Sequence, residues 1–125
     1  MGGTVPPDNG GLIVETYDGT SWTEVADLNE GRIGAGGAGT TTLALVFAGY
    51  GGGGSTAVSA TAESWNATSW TSIASLATAR TMIGTGQASP STAALAFGGA
   101  TEPTISRLTE EYSDPVLSTK TVTVS

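Results

Sequence analysis

Short apolar or aromatic runs alternate along this chain with polar and glycine-rich punctuation, and that alternation predicts strands joined by turns. Leu12 to Tyr17, LIVETY, stops at Asp18-Gly19, a strong hairpin signal, and Ser21 to Val25, SWTEV, supplies the returning strand. A polar crossover, ADLNEGR, leads to a Gly-rich strand from Ile33 to Gly39, where the small residues admit a closely approaching neighbour. Thr42 to Gly49, TLALVFAG, is the most apolar segment and predicts a buried strand closed by Gly49. After a loop from Gly51 to Gly54 the cycle restarts, with strands predicted over 58–65, 69–73, 82–86, 92–99 and 105–112.

The second cycle rewrites the first. At an offset of 48, Glu15, Tyr17, Trp22, Val25, Leu28 and Arg32 fall on Glu63, Trp65, Trp70, Ile73, Leu76 and Arg80. After a slip of two residues, Ala44, Leu45, Phe47 and Gly49 fall on Ala94, Leu95, Phe97 and Gly99. Glu63 and Trp65 return once more, 47 residues on, as Glu110 and Tyr112. Each full cycle therefore reads as a Gly-rich strand, an apolar strand ending in F-x-G, a strand ending in E-x-aromatic, and a strand beginning S-W-T. Four strands in about 48 residues is the content of one β-propeller blade.

These residues resemble the kelch-like propeller repeat, whose marks are a diglycine closing the second strand, an aromatic farther on and a Trp opening the fourth strand. Phe97-Gly98-Gly99 carries the diglycine, Phe47-Ala48-Gly49 half of it, Tyr17, Trp65 and Tyr112 the first aromatic, and Trp22 and Trp70 the second. The wording of the repeats is similar to that of kelch-like repeats in tail-fibre and other virion-associated proteins of marine bacteriophages. The resemblance implies a particle-borne structural or adhesion protein that carries no enzymatic activity, with other virion proteins as neighbours and host glycan as a ligand. The third cycle departs from the pattern: it has no S-W-T, and STKTVTVS stands where its fourth strand belongs.

The expected fold class is thus all-β, with about two and a half four-stranded blades per chain. Residues 1–11 form a lead-in or linker, 12–114 the repeats, and 115–125 a C-terminal edge strand. So few blades cannot close a ring, because propellers typically need four to eight. Open blades would leave apolar faces and strand edges in water, so the expectation is closure by homo-oligomerisation. In the simplest scheme the first hairpin of one chain completes the first two strands of the next, head to tail, with a trimer favoured and a dimer as runner-up.

Composition narrows the chemistry. Four basic against eleven acidic residues give a net charge of −7, which repels phosphate backbones and argues against nucleic acid. With no Cys and no His, disulfides, thiolate metal sites and the usual general base are all missing, so no metal and no cofactor are expected. No window reaches the roughly 18 apolar residues of a membrane span. The opening residues MGGTVPPDNGG lack the basic and apolar regions of a Sec-type signal, so an extracellular role implies another route, such as carriage on a virion.

Among candidate site residues, Trp22, Trp65 and Trp70 have faces suited to a pyranose, but their repetition predicts that they fill gaps between blades and are buried. Arg32 and Arg80 recur at the start of the first strand, where they either face a ligand or pair with Glu15, Glu63 or Glu110. Together with Tyr50 they are the candidate binding residues. The glycines at 51–54 lack the Lys-Ser/Thr and the helix of a phosphate loop. Glu110-Glu111 are neighbours on a strand, point oppositely and cannot share a substrate. A secreted or cell-surface lectin-like module is the alternative to a virion protein.

Overall fold

Hydrogen bonding between successive runs converts the alternating segments into antiparallel strands, as β-branched and small residues separated by turns dictate. The computed structural model describes residues 11–51, 57–86 and 91–113, and among them the protein is all-β, with eleven strands and no helix. β1 (Glu15–Tyr17) pairs with β2 (Trp22–Glu24). The middle sheet has the order β4-β5-β7-β8, from β4 (Gly36–Gly39), β5 (Ala44–Phe47), β7 (Ala62–Trp65) and β8 (Trp70–Ile73). A third sheet joins β9 (Gly84–Thr85), β10 (Ala93–Phe97) and β11 (Thr109–Ser113) in the order β11-β10-β9. The short strands β3 (Arg32–Ile33) and β6 (Tyr50–Gly51) form a separate pair.

Several strands are shorter than the sequence reading, β1 starting at Glu15 and β11 at Thr109, and three differences change how the sheets are built. The Gly-rich run is broken at Gly34, whose φ of 66° turns the chain, so Arg32–Ile33 pair with Tyr50–Gly51 while only Gly36–Gly39 join the middle sheet. The strand expected from residue 58 starts at Ala62, because Val58 bridges to Tyr50 and the Ser59 amide and carbonyl are taken by Gly49 and Arg80. The hairpin turn spans 18–21, not two residues: the Asp18 carboxylate accepts from the Thr20 and Ser21 amides at 2.8 and 2.9 Å. The lead-in over 1–10, the glycine loop beyond Gly51 and the C-terminal edge strand over 115–125 lie outside the described residues.

The sheets meet at two junctions. At the first, Val14, Val25 and Leu28 from the hairpin and its flanks pack against Val46, Trp65 and Trp70 of the middle sheet. At the second, Leu45, Phe47, Ala62, Ile73 and Leu76 pack against Ala94, Ala96, Ile83 and Tyr112 of the third sheet. The repeat offsets map Val14, Val25 and Leu28 onto Ala62, Ile73 and Leu76, and Val46 and Trp65 onto Ala96 and Tyr112. The two junctions are therefore one interface made twice.

The Gly-rich strand has the role its composition suggests. A Cβ built on Gly36 would lie 2.7 Å from the Thr85 methyl and 2.9 Å from Ile83, so the first strands of adjacent sheets approach closer than any side chain allows. At the F-x-G corners the backbone is left-handed twice, Ala48 (φ 63°) then Gly49 (φ 96°) in one sheet, and Gly98 (φ 66°) then Gly99 (φ 91°) in the other. That geometry is what a diglycine supplies without a Cβ penalty.

Candidate functional site

The left-handed corners aim two carbonyls at two arginines. Arg32 Nη1 donates to the Ala48 and Thr61 carbonyls at 3.1 and 2.9 Å, and Nη2 to the Glu63 carboxylate at 3.0 Å. Arg80 repeats this with the Gly98 and Leu108 carbonyls at 2.9 and 2.8 Å and with Glu110 at 2.6 Å. Both arginines are at most 1% exposed. Glu63 also accepts from the Asn29 and Glu30 amides and the Asn29 side chain, while Glu110 accepts from the Ala77 amide. Each Glu thus ties the polar crossover from the preceding sheet to a strand of its own sheet. A buried guanidinium costs several kcal/mol of desolvation, which the carboxylate and carbonyls offset. Of the roles open to Arg32 and Arg80, pairing with Glu63 and Glu110 is the one their side chains perform; neither reaches the surface.

Tyr50, at the start of β6, is half-buried, and its hydroxyl donates to Glu102 at 2.5 Å. That hydrogen bond, with lesser desolvation and the nearby charge, holds the phenol above its ordinary value. The contact links the loop after β10 to the β3–β6 pair.

The aromatic residues divide. Trp65 and Trp70 are buried as expected, each 6% exposed, and their indole N–H groups donate to the Thr41 and Ala26 carbonyls at 3.0 and 3.1 Å. Trp22 is 65% exposed and corrects the expectation of burial. Its hairpin is the first sheet among the described residues, and no described sheet packs on its outer face. Phe47 is buried, whereas its counterpart Phe97 is 46% exposed beside Gly98 and Gly99, for the same reason at the other end. Tyr17 stands in the open with Trp22, and Tyr112 is partly covered in the second junction.

A cleft of about 640 Å³ opens between the middle and third sheets. Ala62, Leu76 and Ala74 in its wall are the counterparts of Val14, Leu28 and Ala26, the residues that surround Trp70 at the first junction. The cleft thus lies where a third S-W-T tryptophan would sit. Its signal was present in the sequence as the missing S-W-T, but which cavity the omission would open was not. Tyr112, Asn66 and Ser64 add polar atoms to an otherwise mainly apolar lining. Glu110 in the lining is already engaged by Arg80 and Ala77, leaving Glu111 as a single acid with no second carboxylate positioned for acid–base work. Among the described residues, no three Asp or Glu side chains gather to hold a metal.

Comparison with protein-family models and with curated proteins finds no match for this chain. Its site is accordingly defined by its own geometry: a structural polar unit made twice, an apolar cleft, and exposed aromatic residues at both ends of the described structure.

Proposed function

We propose that the chain is a kelch-like propeller module, assembled from several copies, that serves as a non-enzymatic structural and adhesion component of a bacteriophage tail or fibre. The observation that carries the architectural half is the junction made twice, with Val14, Val25 and Leu28 replaced residue for residue by Ala62, Ile73 and Leu76. Interfaces that repeat at a fixed period between successive sheets, here two-, four- and three-stranded among the described residues, with Gly-rich first strands of the latter two in closest approach, are what radially arranged blades require. The buried Arg–Glu units support the same reading, since each locks one blade to the crossover from the blade before it. In this reading copies of the chain complete the ring, the trimer first and the dimer second.

The particle-borne role rests on the wording of the repeats and on the acidic chain without His or Cys. Adhesion to host glycan follows from the same resemblance, with the loops between the strands as the surface that would present the contacts. The lectin-like module on a cell surface shares that chemistry and differs in what carries it. Mass spectrometry of purified particles tests the first reading: the chain should be present in stoichiometric amount, and its absence from virions would sink it. A glycan array then tests adhesion, with binding by the assembled protein as the expected result and binding to no glycan as the result that removes it.

A further inference from the structure

The two ends of the described structure expose the two halves of its own internal interface. Leu95 and Phe97 on β10, 45% and 46% exposed, are the counterparts of Leu45 and Phe47, which the second junction buries. Tyr17 and Trp22, 47% and 65% exposed, are the counterparts of Trp65 and Trp70, which the first junction buries. Tyr112, the third member of the Tyr17 and Trp65 series, packs on the cluster that contains Leu45 and Phe47. The chain therefore already seats this aromatic position on this apolar strand face, within itself.

We infer that a second copy of this chain docks head to tail, laying its Tyr17–Trp22 face on the Leu95–Phe97 face and continuing the internal junction between molecules. The proposal rests on the multi-copy reading above and deepens it by naming the contact. It replaces strand exchange with face-to-face stacking, because β11 is paired with β10 along five residues, Ala93 to Phe97, and already occupies the place beside it. A two-stranded sheet is sufficient for such a junction, since the other face of this same hairpin forms the first one. The contact is heterologous, so successive copies share one rotation and either close into a ring or extend as a fibre. Leu43, Met82, Ile105 and Leu108 are exposed elsewhere, but only these two opposite sheet faces set two large exposed apolar residues side by side as the complementary halves of a junction the chain already makes.

The full chain has no cysteine, which makes the geometry directly testable. Glu24 lies on the Trp22 face of β2 and Ala93 on the Leu95–Phe97 face of β10. Glu24→Cys and Ala93→Cys proteins, mixed in equal amounts and treated with a short bis-maleimide, should give mainly the mixed cross-linked pair. Trp22→Ala and Phe97→Ala should each raise the dissociation constant about tenfold or more by native mass spectrometry, as loss of a central aromatic anchor does. Unchanged circular dichroism would show that both variants still fold. Oligomers that cross-link only like to like, or that ignore both substitutions, would overturn the head-to-tail contact and leave the multi-copy reading standing. A single chain at every concentration would overturn both.

Discussion

In the first hairpin Tyr17 and Trp22 stack at 5.1 Å with an interplanar angle of 34°, and in the second Trp65 and Trp70 stack at 5.3 Å and 35°. The turns match as well, with Asp18 accepting from the amides of Thr20 and Ser21 as Asn66 does from those of Thr68 and Ser69. Yet Glu63, Trp65 and Trp70 are buried and their counterparts Glu15, Tyr17 and Trp22 are exposed. The hairpin is thus fixed by cross-strand pairing and turn chemistry, and keeps its form whether or not anything covers its aromatic face. Burial comes from the sheet that precedes a hairpin in the chain, and the first hairpin has none among the described residues.

Substitutions at matched positions sharpen this contrast. The largest effect is expected at Glu63: Glu63→Ala takes the close carboxylate from the buried Arg32, leaving Glu30 at 3.6 Å as its remaining acid, frees three further donors, and should cost about 5 kcal/mol. That is a large part of a small domain's stability. Glu15→Ala should change urea unfolding by no more than about 0.5 kcal/mol. Next, Trp70→Ala should cost about 4 kcal/mol as the first junction loses its indole, whereas Trp22→Ala in dilute, single-chain protein stays within about 0.5 kcal/mol. Equal losses for the two tryptophans would break the comparison. Glu110→Ala should fall between, at about 2 kcal/mol, because that carboxylate is 22% exposed and holds fewer donors than Glu63.

The smallest effect concerns the turns and depends on pH. Hydrogen bonds from the Ser21 and then the Thr20 amide hold the Asp18 carboxyl below its ordinary value of 3.8. A lowered folded-state value means that the hairpin gains stability from Asp18 above about pH 4 and loses it as acid protonates the carboxylate. Asp18→Asn, which copies Asn66, should keep the turn and remove this acid sensitivity. Chemical shifts of the Thr20 and Ser21 amides titrated from pH 6 to pH 2 would read it. The opposite sign applies at Tyr50, where a raised value means that the link to Glu102 holds below about pH 10 and is lost at higher pH; Tyr50→Phe should abolish that alkaline step in phenolate absorbance.

Much of the fold was legible because each strand carries its own signal. The β-branched runs, the D-G turn and the F-x-G corners are local instructions, and the recurrence of the strand pattern near 48 residues matches the order of the middle sheet. The split of the Gly-rich run at Gly34 was not legible, because a glycine permits both extended and left-handed backbone and does not choose between them. Arg32 and Arg80 were found by repetition, but their direction depends on carbonyls 16 and 18 residues downstream. The cleft escaped for a similar reason: a missing tryptophan is visible in the text, while the walls it leaves behind come from two sheets.

The amino-acid sequence by itself determined the period, the strand content, the turns and the stacked aromatic pairs, since all of these are settled between residues a few positions apart. Only the tertiary structure decided which repeats are covered. Trp22 and Trp70 have the same neighbours in sequence and opposite exposure, because burial of apolar surface is a property of two surfaces meeting and a repeat carries instructions for only one of them.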